Sequence, residues 1–217
     1  MVMYGPKVGA NVSMFRGKFP YKGQKGPHLG YTLGGFLNFK SLKNKKFQFE
    51  INVLYTARGN NAKFRDPNDS VSIEDTKIHF SLGYLEIPLL FKLMLNEGGT
   101  IRPYLFAGPV YSGLLNAKQK TLSPYMKEYN ARNWFKKDDF GLMVGWGITN
   151  FVIDRWYTLD IRYYHGFLNQ SDNVAGENLI EFGSPDNHSQ KQTIVKIRNS
   201  TLSVTLGIGL NRQTFFR

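Results

Sequence analysis

Residues 84–93 read Tyr-Leu-Glu-Ile-Pro-Leu-Leu-Phe-Lys-Leu. In an extended chain Leu85, Ile87, Leu89, Phe91 and Leu93 share one face, and Tyr84, Glu86, Pro88, Leu90 and Lys92 share the other, because successive strand side chains point to opposite sides. The stretch is therefore a strand with one wholly apolar face and one that carries an acid and a base at mid-strand. The same period recurs in both directions along the chain. Phe47, Phe49, Ile51, Val53 and Tyr55 oppose Gln48, Glu50, Asn52, Leu54 and Thr56. Upstream, Tyr31, Leu33, Leu37 and Phe39 oppose Gly30, Thr32, Gly34, Phe36 and Asn38. Downstream, Tyr157, Leu159, Ile161 and Tyr163 oppose Thr158, Asp160, Arg162 and Tyr164, and Leu202, Val204, Leu206 and Ile208 oppose Thr201, Ser203, Thr205 and Gly207. No segment holds a 3.6-residue period long enough to be a helix.

The pattern predicts eight strands, at roughly 3–16, 28–41, 46–57, 78–95, 101–118, 138–153, 156–168 and 199–211. Their connections alternate in length. Gly17–Pro27, Arg58–Lys77, Gln119–Lys137 and Asn169–Arg198 hold 11, 20, 19 and 30 residues, whereas Leu42–Lys45, Asn96–Thr100 and Asp154–Arg155 hold 4, 5 and 2. An up-and-down barrel places alternate connections at opposite ends, so short turns at one end and long loops at the other match an outer-membrane barrel. Strands of this length also suit a tilted bilayer crossing. The expectation is an all-β, eight-stranded, antiparallel up-and-down transmembrane β-barrel that occupies 1–217 as one domain.

Composition agrees with this reading and removes others. The 217 residues contain no cysteine, which excludes disulfide frameworks, cysteine zinc sites and thiol nucleophiles. Aromatic residues make up 15%, far from a disordered composition. The longest uncharged stretch, Pro103 to Ala117, is too short for a membrane helix and is broken by Gly108, Pro109 and Gly113. A mean hydropathy of −0.35 would ordinarily indicate a soluble protein, but a membrane barrel needs apolar residues only at alternate positions. Met1-Val2-Met3 leads straight into a patterned segment, so the chain is expected to be either cytosolic or a mature form whose leader has been removed.

Alternation leaves two arrangements open: an apolar interior around a ligand, or an apolar exterior against lipid. Three observations favour the exterior. Gly9, Gly30, Gly34, Gly141, Gly145, Gly147, Gly207 and Gly209 crowd the polar face, where a narrow eight-stranded lumen needs small residues beside large ones. Glu50, Glu86, Lys92, Asp160 and Arg162 sit at mid-strand on that face, where opposite charges can pair. Tyr4, Tyr31, Phe39, Phe47, Tyr55, Phe140, Tyr157, Tyr163 and Phe167 gather near strand ends on the apolar face, as interfacial girdles require. The five charged residues are thus expected to form a lumen network. Glu50 should pair with Lys92 across strands, and Phe36, Tyr84 and Tyr164 should help to plug the barrel.

These features resemble the PorT-like outer-membrane β-barrel proteins, which share their architecture with the small OmpA-type barrels. The resemblance rests on Gly5-Pro-Lys-Val-Gly-Ala-Asn-Val-Ser13, Tyr55-Thr-Ala-Arg-Gly59, Tyr84-Leu-Glu-Ile-Pro-Leu-Leu90 with Lys92, Pro103-Tyr-Leu-Phe-Ala-Gly-Pro109, Asp139-Phe-Gly-Leu-Met-Val-Gly145 and Leu159-Asp-Ile-Arg-Tyr-Tyr-His-Gly166. It implies a location in the outer membrane of Gram-negative bacteria. For some members it implies association with type IX secretion or other envelope machinery, and it brings no catalytic residue. One departure is the end of the chain: barrels of this kind tend to finish on an aromatic residue in phase with the last strand, and here Arg217 follows Phe216.

No catalytic residue, cofactor or metal ligand is assigned. His28, His79, Ser81 and Asp75 fall near one rim, where a lipid-modifying enzyme would place such groups, but no nucleophile motif accompanies them. No two histidines have metal-ligand spacing. The glycines lie within strands, so a phosphate loop is not expected. The net charge of +12 is shared with the long loops, which would meet anionic outer membrane lipid and lipopolysaccharide. No nucleic-acid recognition motif appears. The expected role is a non-enzymatic envelope structural or partner-binding subunit that contacts another envelope protein. The alternatives are a small-solute pore or ligand-binding barrel, and a lipid-modifying rim enzyme.

Overall fold

The computed structural model describes residues 2–17, 24–40, 46–64, 76–96, 99–122, 127–153, 155–171 and 197–211. Its strands are β1 (Val2–Arg16), β2 (Gln24–Gly26), β3 (His28–Lys40), β4 (Phe47–Phe64), β5 (Thr76–Met94), β6 (Ile101–Leu122), β7 (Lys127–Asn130), β8 (Asp138–Val152), β9 (Arg155–Gly166) and β10 (Arg198–Asn211), with one 3-10 turn at Arg132–Trp134. Eight of them pair antiparallel in the ring β1-β3-β4-β5-β6-β8-β9-β10, and β10 closes on β1 from Met3↔Asn211 to Arg16↔Arg198. The protein is therefore a closed eight-stranded up-and-down β-barrel, as its alternating pattern predicts. No described helix is long and apolar enough to cross a membrane.

The faces follow the sequence. On β10, Thr201, Ser203 and Thr205 are buried in the lumen, while Leu202, Val204 and Leu206 point out and stay about half exposed. Leu29, Tyr31, Leu33, Phe91, Leu105 and Trp146 continue that exposed apolar belt around the barrel. In water so much bare apolar surface would be costly; against lipid it is the stable arrangement. The closed ring also pairs the ladder hydrogen-bonding groups with neighbouring strands, which hydrocarbon demands.

Three strands run further than their hydropathy indicates. The sequence places ends near 57, 78 and 118, whereas β4 continues to Phe64, β5 begins at Thr76 and β6 continues to Leu122. In the extension the polarity of the two faces inverts. From Leu85 onward β5 turns apolar side chains outward, but between Lys77 and Leu82 it turns Lys77, His79 and Ser81 outward and buries Ile78, Phe80 and Leu82. The ladder is continuous while the medium outside it changes from lipid to water. A register shift marks the boundary: Gly83 opposes Asn116 but Tyr84 opposes Leu114, so Leu115 is an extra residue on β6. This β-bulge moves β6 by one position, burying Ala117 and Gln119 and turning Lys118 and Lys120 outward.

Two short strands lie in segments that the sequence reads as loops. β2 pairs with β4 through Gln24↔Lys63 and Gly26↔Asn61, and β7 pairs with β6 through Lys118↔Asn130 and Lys120↔Glu128. With the prolonged parts of β4, β5 and β6 they make a five-stranded extension on one side of the long-loop mouth. Its inner face joins Phe15, Leu114, Ala131, Phe135 and Ile197 in an apolar cluster. Phe15 lies 6.2 Å from Phe80 and 5.8 Å from Phe135 between ring centroids. Phe135 is held there by a bridge to Ser171 and by the hydrogen bond from Lys136 N to Gln170 O, 2.9 Å. The segment after β7 thus folds across the mouth.

Candidate functional site

The lumen contains two ion clusters stacked along its axis. The lower one joins four strands. Lys7 on β1 donates to Glu50 Oε1 on β4 at 2.8 Å and to Asp160 Oδ2 on β9 at 3.1 Å. Arg162 Nη2 donates to Asp160 Oδ2 at 2.5 Å and lies 3.5 Å from Glu50 Oε1. Lys92 on β5 donates to Glu50 Oε2, and the Tyr104 hydroxyl donates to Asp160. Asn38 and Thr205 complete the shell, at 3.4 Å from Glu50 and 3.3 Å from Asp160. Rings cover the cations: Phe36 is 4.7 Å from Lys7 Nζ, Tyr104 is 4.4 Å from Lys92 Nζ, and Phe106 is 5.7 Å from the Arg162 guanidinium. All five charged groups are almost completely buried. Such charges persist only when paired and hydrogen-bonded.

The upper cluster centres on Arg58, which pairs with Glu86 and lies 3.9 Å from Asp139 Oδ2. Tyr164 packs 4.0 Å from its guanidinium and Tyr84 5.2 Å. Asn199 donates to Asp139 at 2.8 Å and to the Tyr84 hydroxyl at 3.2 Å. Three cations and two anions below, with one cation and two anions above, make the two clusters together neutral at full ionisation. Between the clusters, a cavity of about 10 Å³ is lined by Arg58, Glu86, Arg162, Tyr164, Thr56 and Thr201 among others. That is room for about one water.

Of the five residues expected in the lumen network, the structure brings Glu50, Lys92, Asp160 and Arg162 into one cluster and sets Glu86 in the other. Sequence reasoning passed over three further members. Lys7 shares the inward phase of Asn11 and Ser13, a signal available on β1. Arg58 lies in the inward phase of Glu50, Asn52 and Thr56 but was assigned to a loop. Asp139 is the second residue of β8, where a charge reads as a strand terminus. Glycine makes the space that the large groups fill: a Cβ on Gly145 would lie 2.4 Å from Phe106 Cζ, and one on Gly147 would lie 2.6 Å from Asp160 Oδ1.

The family model for the outer membrane protein beta-barrel domain matches residues 1–172. The chain belongs to the outer membrane protein β-barrel domain family. Its location is the outer membrane, and the exposed apolar belt is its lipid-facing surface. Among solved structures, it is similar to the outer membrane protein OprG from Pseudomonas aeruginosa, with a TM-score of 0.51, 12% identity and coverage of 96% of this chain and 94% of that one. It is also similar to Ail, the attachment invasion locus protein of Yersinia pestis, with a TM-score of 0.42, 13% identity and coverage of 96% and 98%. Neisserial surface protein A gives a TM-score of 0.44, 14% identity and coverage of 95% and 96%. The likeness to OprG is one of fold. No curated protein matches significantly.

Outside the lumen, two features of this family member stand at the long-loop end. His79 Nδ1 lies 2.6 Å from Asn61 Oδ1, and Asn61 donates to Pro27 O at 2.5 Å beside His28. Ser81 is exposed one outward position from His79. Asp75, His188 and residues 212–217, including Phe216, lie outside the described residues. Among the described residues no cluster of three or more His, Asp or Glu is placed to hold a metal. The second feature is a groove of about 350 Å³ lined by Leu115, Asn116, Lys118, Glu128, Asn130 and Arg132. Within it Lys118 Nζ is 2.7 Å from Glu128 Oε1. The hydrogen bond from Lys118 holds the Glu128 carboxyl below the usual carboxylate range.

Proposed function

We propose that the protein is a non-enzymatic envelope subunit: a plugged barrel, one domain over 1–217, that anchors a partner-binding surface and does not conduct. The long loops and the extension face the cell exterior and both termini face the periplasm, the arrangement that short periplasmic turns favour. The observation that carries this reading is the packing of the lumen by two hydrogen-bonded ion clusters and their covering rings, with a cavity of only about 10 Å³ between them. A solute path would have to break several buried ion pairs at once. The specific role then belongs to surfaces outside the lumen, among them the five-stranded extension at the long-loop mouth. The PorT-like stretches, Tyr84–Leu90 above all, support the finer membership and an association with secretion or assembly machinery such as type IX secretion.

The test is single-channel recording of the purified full chain in a planar bilayer. The expected result is no steady conductance at moderate voltage. A steady large conductance from the wild-type protein would overturn the plugged barrel and establish the pore.

A further inference from the structure

The outward face of the extension changes character within a few residues. Leu85 on β5 and Tyr111 and Leu115 on β6 belong to the exposed apolar belt. Directly beyond the bulge the same face carries Ser81, His79 and Lys77 on β5, with Lys118 and Lys120 on β6. Lys118 stands opposite Ser81 and Lys120 opposite His79, so Lys77 is a diagonal neighbour of Lys120, within reach of long side chains. Lys118 lies three positions beyond Leu115, roughly 10 Å along a strand. With a tilt near 40° this is about 8 Å of height. The polar layer on one side of a bilayer is about 5–8 Å thick. With Leu115 at the edge of the hydrocarbon, the lysines therefore stand at the level of the headgroups. The groove continues the path, with Leu115 at its foot and Lys118 and Arg132 along its wall.

We propose that this face, with Lys118 and Lys120 at its centre and Lys77 and Arg132 flanking, binds the phosphorylated headgroup of an outer-leaflet lipid whose acyl chains lie on Leu85, Tyr111 and Leu115. The proposal rests on the exterior orientation given above. Two features argue for a lipid over a free anion. The cations form an unbroken surface with the lipid-facing belt, and they are exposed, so a small anion there would remain largely hydrated. The surface is also one-sided: on this face of β5 and β6 three lysines are described and no acid, with Glu128 on the adjoining β7. Glu128 holds Lys118 near the groove wall and does not cancel the cluster.

The experiment uses the detergent-solubilised full chain and native mass spectrometry, with bisphosphorylated lipid A as the probe. Dephosphorylated lipid A and inorganic phosphate serve as comparison ligands. A lysine near an anionic lipid surface contributes roughly fivefold to affinity. Lys118→Gln with Lys120→Gln should therefore weaken lipid A binding about 25-fold, whereas Lys136→Gln with Lys137→Gln, which removes the same charge at the same end, should change it less than about threefold. Lys118→Arg with Lys120→Arg should keep the affinity. Equal losses in the two glutamine pairs would reduce the site to diffuse attraction and overturn the proposal. So would equal binding of dephosphorylated lipid A, or complete displacement by millimolar phosphate. Heat-modifiable gel migration of each variant reports the barrel separately, so a failure of lipid binding is distinguishable from a failure of the outer-membrane reading.

Discussion

Glu50 is the hub of the lower cluster, and its removal should be far more damaging than removal of any one cation. It touches Lys7 and Lys92 directly, and Arg162 lies at 3.5 Å. With Glu50 ionised, three cations face two anions. Glu50→Gln leaves three cations against Asp160 alone, whereas Lys92→Met leaves two cations against two anions. At an effective dielectric constant near 20, a contact of 2.8 Å such as Lys7–Glu50 is worth about 6 kcal/mol before desolvation is counted. Breaking a buried pair from one side costs about 3–5 kcal/mol net. We therefore expect Glu50→Gln to destabilise by about 3–5 kcal/mol and Lys92→Met by about 1–2 kcal/mol or less, since the second substitution also relieves repulsion. The double variant restores the original imbalance of one cation, so Lys92→Met should partly rescue Glu50→Gln. The assay is a double-mutant cycle on urea unfolding in detergent, followed by heat-modifiable migration and near-ultraviolet circular dichroism. Additive losses, or a Lys92→Met loss as large as that of Glu50→Gln, would refute the hub.

Val204→Arg places a charge at mid-strand on the lipid face and should cost about 2–4 kcal/mol, read as lost folded band in an assembly assay into liposomes. Thr205→Ser, one residue away, retains the hydroxyl that bonds Asp160 and should assemble normally; equal tolerance at the two positions would reverse the assigned faces. In the tight turn between β8 and β9, Ile153 has a φ of 49°, a conformation that disfavours a β-branched residue by about 1–2 kcal/mol. Ile153→Asn should raise the urea midpoint, and a fall would show that the isoleucine side chain makes a compensating contact.

The membrane-embedded part of the fold was legible because lipid imposes one rule on every strand, apolar out and polar or small in. Residues 84–93 show that rule with few exceptions, and the other strands repeat it. The level of Glu50 against β5 was less legible. Turn lengths suggest Glu50 opposite Phe91 and Lys92, whereas the ladder sets Glu50 opposite Leu90 and Gln48 opposite Lys92. A one-residue offset is within the span of a lysine side chain, so the contact forms on the diagonal. Beyond the bilayer the rule fails. Lys77, His79 and Ser81 face outward while Ile78, Phe80 and Leu82 make a core, and on β4 the outer face carries Ala57, Gly59 and Asn61 where a reading tuned to lipid expects large apolar residues, so it ends that strand early. Arg58 was lost from the lumen for the same reason. The bulge at Leu115 hid the continuation of β6, since an inserted residue breaks alternation without breaking the ladder. The 3-10 turn and Phe135 carry no periodic signal; their place over the mouth is set by the apolar cluster they cover.

The seam between the first and last strands has a consequence for how the molecule comes to exist. Lys7 lies 43 residues from Glu50 and 153 from Asp160, and β1 finds its second partner only in β10. The ladder of β1 cannot be completed until the C-terminal strand β10 has been delivered, and Lys7 cannot meet Asp160 until β9 has. Long-range closure of this kind slows folding and prolongs the life of open intermediates with unpaired strand edges. Until closure, an emerging amino-terminal sheet of β1, β3 and β4 would present Lys7 and Glu50 without Asp160 to hydrocarbon that cannot solvate them. Insertion and closure should therefore be coupled events, late and concerted, because Lys7 waits for Asp160 on β9 and the free edge of β1 waits for β10.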